Sequence, residues 1–224
     1  MLVVSWFVIP SCSGKAKSVP LDLYPYGLIA YTQGKKLVST GRYQHRYYRT
    51  QMSKGYVKSV NAHEYQAINF YRTHEEPGSH SLKKNHNLEK LADWRAYQAS
   101  KHFTHYHRGQ VIVWRDAQRM HLGNQNWLRH NLGENMCLVG RLNHVRENYR
   151  DAYYYFSRPS TLANCNVFDL VNNDAAAHYA HGMNIMNKHN RYLGVGTYFN
   201  RSKRRLYILS EFSVHKPVIN SNHK

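Results

Sequence analysis

His178, His181 and His189 crowd one short stretch, "HYAHGMNIMNKHN", that runs directly into "RYLGVGTYF". Imidazoles titrate near neutral pH and are common ligands of divalent ions, so such a cluster suits metal binding or acid–base work. The same residues also suit a polar helix end that meets a buried strand. A second pattern lies upstream, where Lys35, Lys36, Arg42, Arg46, Arg49, Lys54 and Lys58 interleave with Tyr31, Tyr43, Tyr47, Tyr48 and Tyr56. Charge of that density holds an anionic polymer while rings stack on sugars or bases. A solvated basic hairpin at the edge of a larger domain gives the same pattern. Nucleophilic catalysis has less support: neither Cys137 nor Cys165 stands in a cysteine-protease context, and no Gly-x-Ser-x-Gly elbow occurs.

The whole chain leans towards an anionic partner. Its 224 residues carry 31 Lys+Arg against 13 Asp+Glu, a formal charge of +18, and its 16 histidines add positive charge at acid pH. Nucleic acid, a phospholipid face and a phosphate-bearing cell-wall polymer all answer to that sign. Cys12, Cys137 and Cys165 do not make a dense disulfide framework; an odd number leaves at least one without an intramolecular partner, and a single Cys137–Cys165 bridge is compatible with it. The opening "MLVVSWFVIPSCSGKAKSVP" holds an apolar run too short to span a bilayer. It reads as a truncated secretory signal, as a loose lipoprotein box at "IPSC", or as a buried first strand.

The elements that must position the histidines are those of one main domain with an extension. Residues 13–58 alternate bulky and polar side chains around Gly34, Gly41 and Gly55, which predicts short strands joined by turns. From Val60 the pattern becomes helical: Tyr65, Ala67, Ile68 and Tyr71 share a face that ends before Pro77 and Gly78. Leu88, Leu91, Ala92, Ala96, Ala99 and Phe103 trace a second apolar stripe, with Asn87 as its cap. A polar segment broken by "VIVW" follows, then a tyrosine-rich helix "VRENYRDAYYYFSRP" stopped by Pro159. Further helices are expected over Asn166 to Ala177 and Gly182 to Asn187. "YLGVGTYFN" and "RLYILSEFSV", joined by "RSKR", form a closing β-hairpin. The fold class is α+β, with helices covering a small, mainly antiparallel sheet. There is no internal repeat. The segments divide as 1–18 (apolar start), 19–59 (basic, Tyr-rich, β-type extension), 60–215 (main domain) and 216–224 (tail).

Six fragments fall in a telling order: Glu64, Ile68, Asn69 and Arg72; Leu82, Asn85, Leu88 and Ala92; Phe103, Thr104 and His105; Gly133, Glu134 and Asn135; His181, Asn184, Ile185 and Met186; and Leu193 to Gly196. Together they resemble the CAP superfamily (cysteine-rich secretory proteins, antigen 5 and pathogenesis-related 1) in its bacterial secreted form, most like versions from lactobacilli. The resemblance covers about Val60 to Phe212 and implies an α-β-α sandwich. It implies a ligand cleft lined by His105, Glu134 and His181, with Asp174 as the candidate second acid and Asp169 behind it. Rivals for the two histidine positions are His102 and His107, and His178 and His189. Asn184 and Ile185 are expected to anchor a short helix, while Gly194 and Gly196 allow close backbone approach.

Two imidazoles with a carboxylate suit Zn or another divalent metal, which His105 and His181 would hold. The first functional expectation is therefore a protein outside the cell or on the surface of a Gram-positive bacterium, docked on anionic cell-wall polymer, with a cleft for a metal or a small, even lipid-like, ligand. Metal-assisted hydrolysis with Glu134 as general base is the minority form of that reading. The alternative is a basic nucleic-acid-binding protein or His-dependent nuclease, favoured by the charge and 19 tyrosines. A wall-adhesion protein with the domain as inert scaffold is a third.

Overall fold

The stripe that begins at Leu88 organises the molecule, because it lays one helix flat across a small sheet. In a computed structural model of the chain, the described residues are 54–76, 78–139, 159–172, 180–203 and 205–218. Helix α1 (Lys54–Glu75) buries Tyr56 and Val60 on the same face as Ala67 and Ile68. Residues 54–59, assigned above to the β-type extension, are thus the first turns of that helix; the rest of the extension and the apolar start lie outside the described residues. After the two-residue strand β1 (Lys83–Lys84) comes α2 (His86–Lys101). Its cap is Asn85 rather than Asn87: Asn85 is extended, and its side chain accepts from the backbone N–H groups of Asn87 and Leu88 at 3.0 and 3.1 Å. The buried stripe stops at Ala99 and Ser100, so Phe103, past the end of the helix, is exposed.

A tight ribbon of β2 (Tyr106–His107) and β3 (Gln110–Val111) turns through Arg108 and Gly109, both at positive φ. The polar segment around "VIVW" then holds two short helices that the sequence pattern did not separate, α3 (Ile112–Arg119) and α4 (Gln125–Asn131), followed by strand β4 (Leu132–Val139). The expected tyrosine-rich helix falls in residues 140–158, outside the described residues. Helix α5 (Pro159–Asn172) begins the next described stretch, and Pro159, with its fixed φ and no N–H to satisfy, suits a first-turn position. Short helix α6 (Ala180–Met186) leads to β5 (Tyr192–Asn200) and β6 (Arg205–Ser213), the expected hairpin.

The main sheet runs β1-β5-β6-β4, with β1 parallel to β5 and the other pairs antiparallel. One face carries α2: Ala96 and Ala99 pack on Met136, Tyr207 and Leu209. The other carries α1, α5 and α6, where Ile68, Leu162, Val167 and Ile185 meet Leu193, Ile208 and Phe212. The result is a three-layer α-β-α sandwich. Glycine is demanded at two points: a Cβ on Gly194 or Gly196 would stand 2.1 or 2.2 Å from backbone atoms of Leu88 or Ala92, so α2 rests directly on β5.

Candidate functional site

Among the described strands β4 is the outer one on one side of the sheet, and its alternation divides its residues between the two faces. Glu134 and Met136 look towards α2, whereas Asn135 and Cys137 face the α1, α5 and α6 layer. Arg95 lies on the buried stripe of α2, one residue before Ala96, and therefore comes down onto Glu134. Its Nε and Nη2 donate to Glu134 Oε2 and Oε1 at 2.6 and 3.0 Å, a two-pronged pair in which both side chains are almost wholly buried. The remaining donors go to Gln98 Oε1 (2.8 Å) and the Thr104 carbonyl (3.3 Å), which ties down the segment just ahead of His105.

His105 Nδ1 lies 2.8 Å from Glu134 Oε1, the same oxygen that Arg95 Nη2 contacts. An ionised carboxylate only accepts, so Nδ1 carries the proton and Nε2 is left for a ligand. The backbone fixes the same geometry, since Ile112 N donates to the His105 carbonyl at 2.8 Å and closes the ribbon. From the opposite layer comes His181, whose ring centre is 6.3 Å from that of His105. Asn135 Nδ2 donates to the His181 carbonyl (3.0 Å), and Asn184 Nδ2 donates to Asn135 Oδ1 (2.8 Å), so α6 is sewn to β4 from below. The two imidazoles meet around the rim of the sheet, one from each side.

Burial works to raise the Glu134 pKa, but the hydrogen bonds and charges of His105 and Arg95 outweigh it and leave the carboxyl below its usual range. Burial likewise lowers Arg95, and the Glu134 hydrogen bonds and charge, with Glu211 and Asp116 behind them, carry it above its usual value. Glu211, on β6, is the register partner of Glu134 and is fully buried. Desolvation first and the Glu134 charge second push its pKa well up, so it is the protonated member of the two. Neither of its oxygens has a hydrogen-bond partner of ordinary geometry among the described residues.

Of the residues expected in the cleft, the fold brings together His105, Glu134 and His181. Asp174 and His178 lie outside the described residues. Asp169 sits on α5 within electrostatic reach of Cys137, on the other side of the sheet. His102, His107 and His189 are exposed. Cys137 is a free thiol, so no Cys137–Cys165 bridge forms. The acid beside Glu134 is instead Glu211, which the sequence reading missed together with Arg95. Each left one signal, a single charge in an otherwise apolar run. Glu64 and Arg72, from the first matching fragment, are scaffold: Glu64 takes a 2.6 Å hydrogen bond from Asn166, and Arg72 donates to the carbonyls of His80, Ile185, Asn187 and Asn190.

Among the described residues the donor set is two imidazoles and a carboxylate that is already engaged. Two imidazoles on one tetrahedral ion, with N–metal distances of about 2.1 Å, have ring centres about 5.4 Å apart, nearer than these, and Glu134 is already held by Arg95. Among the described residues no group of three or more His, Cys, Asp or Glu is placed to hold a metal ion.

No protein-family model and no curated protein sequence matches the chain. Solved structures do. The CAP domain of enterococcal PrgA matches at a TM-score of 0.51 and 13% identity, over 96% of this chain and 87% of that one. The chain has the CAP fold. Two more distant matches are an outer surface protein from Borrelia burgdorferi (TM-score 0.42, 16% identity, 69% of this chain and 90% of that one) and the Schistosoma mansoni venom allergen-like protein 4 (0.38, 11%, 74% and 94%). No described helix of this CAP-fold chain is long and apolar enough to cross a membrane.

Proposed function

We propose that this CAP domain is an exported or surface-held binding protein for anionic envelope polymer, and that its His105/His181 cleft grips a ligand group without transforming it. The observation that carries the reading is the Arg95 lock on Glu134. A carboxylate paired on both oxygens and held below its usual pKa is a poor general base, so metal-assisted hydrolysis through Glu134 loses its proton acceptor. What Glu134 does well is orient His105, with Nδ1 as donor and Nε2 presented outward. Neutral, that nitrogen accepts from a hydroxyl; protonated, it donates to a phosphate or carboxylate. The high positive charge of the whole chain steers such polymers towards it.

The test compares the wild-type chain with His105→Ala and His181→Ala, reading metal content and calorimetric affinity for a purified anionic wall polymer at low salt. Each variant is expected to fold and to bind about tenfold more weakly. Unchanged affinity in both variants removes the cleft from the reading. Stoichiometric metal in the wild type, absent from both variants, would replace it with a metal centre completed by groups other than Glu134.

A further inference from the structure

At the opposite edge of the sheet from the histidines lies a groove of about 770 Å³, walled by α1 and α2 and floored by the β5 residues Val195, Thr197 and Phe199. Its rim is cationic. Lys54, Lys58, Lys84, Lys90 and Arg201 are all exposed there, against Glu89 and Asp93, and none of the five makes an ion pair among the described residues. Inside it, two polar atoms have no hydrogen-bond partner among the described residues: Asn61 Oδ1 and Thr197 Oγ1, the latter on a residue only 7% exposed. Buried polar atoms are rarely left unsatisfied, and a pair lining one groove marks where a partner group belongs.

Three features of the groove choose among anionic occupants. Its two tyrosines are already engaged, Tyr65 beneath the Lys84 ammonium at 4.8 Å and Tyr198 edge-on to Tyr97 at 5.2 Å, so neither is an open platform for stacking nucleic-acid bases. Strand addition by a peptide is opposed because Val195 and Thr197 are buried and the Asp93 carboxylate lies against the Thr197 backbone N–H. What remains is a chain that brings hydroxyls to Asn61 and Thr197 and repeated charges to the lysines. The α1 wall from Lys54 to Tyr65 is about 16 Å long, and Lys54 and Lys58 lie one helical turn apart along it, which suits a run of charges better than a single one.

We propose that this groove binds a polyol-phosphate chain, its phosphodiesters on Lys54, Lys58, Lys84, Lys90 and Arg201 and its hydroxyls on Asn61 and Thr197. This gives the anionic-polymer reading a place of its own, away from the histidine cleft. Calorimetry at low salt with poly(glycerol phosphate) tests it, set beside a polyuronate, an acidic peptide, a single-stranded oligonucleotide and phosphatidylglycerol vesicles. Lys58→Glu/Lys90→Glu is expected to weaken poly(glycerol phosphate) about tenfold or more, whereas Arg108→Glu/Arg129→Glu, the same charge change elsewhere, weakens it less than about threefold. Thr197→Val should weaken it about threefold with an unchanged salt dependence.

Equal losses in the two double variants, or tighter groove-dependent binding of any of the other four probes, overturn the assignment. Unchanged binding by Thr197→Val removes the hydroxyl contact and with it the choice of a polyol. Wild-type binding that ignores the groove variants but falls in His105→Ala overturns this inference alone. A chain that binds no anionic polymer overturns the proposed function as well.

Discussion

Arg72 and Arg95 are both fully buried, yet they are spent differently. Arg95 meets a carboxylate, and its pKa ends above the usual value because the attraction of Glu134 outweighs burial. Arg72 meets backbone carbonyls at the end of α6 and in the turn before β5; burial first and neighbouring Arg191 second bring its pKa down, with Glu76 opposing. The first clamp places His105 through Glu134, and the second places His181 by holding the far end of its helix. A buried guanidinium therefore serves as an electrostatic lock where the partner is ionic and as a multi-pronged hydrogen-bond donor where it is not.

The sharpest way to break this contrast is Arg95→Ala, which strands a buried Glu134 carboxylate. The expected loss is about 3–5 kcal/mol of stability by chemical denaturation, with much of it restored when Glu134→Gln is added. Arg72→Ala strands only neutral carbonyls, some of which water can reach, and should cost about 2–3 kcal/mol. If the two losses come out equal and Glu134→Gln rescues neither, the ionic character of the first clamp is irrelevant.

A third buried polar group lies on α1 and sharpens the point by pH. Among the described residues Glu64 has neither arginine nor lysine against it; burial, opposed by the Asn166 hydrogen bond, carries its pKa up to about 8. A carboxyl raised in the folded state favours folding fully below its unfolded value, near 4.5, and loses that advantage as pH climbs to about 8. Stability should thus fall by at most about 1.4 kcal/mol per pH unit across that window and level off above it, a slope Glu64→Gln abolishes. Glu134 has the opposite sign: its contribution is present above the ordinary carboxylate range and is lost as pH drops through its depressed value. The smallest expected effect is His105→Ala, a change of less than about 1 kcal/mol, since this histidine side chain is 36% exposed.

The sequence made these regions unequally legible. The hairpin of β5 and β6 could be read because its two β-branched and aromatic runs flank an obvious turn, and α2 because its stripe repeats at helical spacing. His105, Glu134 and His181 came from short fragments in order, not from any pattern of their own. Arg95 was hidden because periodicity averages over a face, so one charge within a stripe of leucines and alanines disappears. Glu211 was hidden because β6 is covered on both sides and shows no alternation against which an acid would stand out. Asn85 was passed over as a cap in favour of Asn87 for a related reason: both fit by composition, and only the extended backbone at Asn85 lets the side chain turn back onto the helix.

Among the described residues Glu134 sits on the outermost strand, and beyond it no described strand separates the two helical leaves. A guest touching both rings would therefore rivet leaf to leaf across the rim. Occupancy should then slow amide exchange in α6 and in the β2–β3 ribbon together.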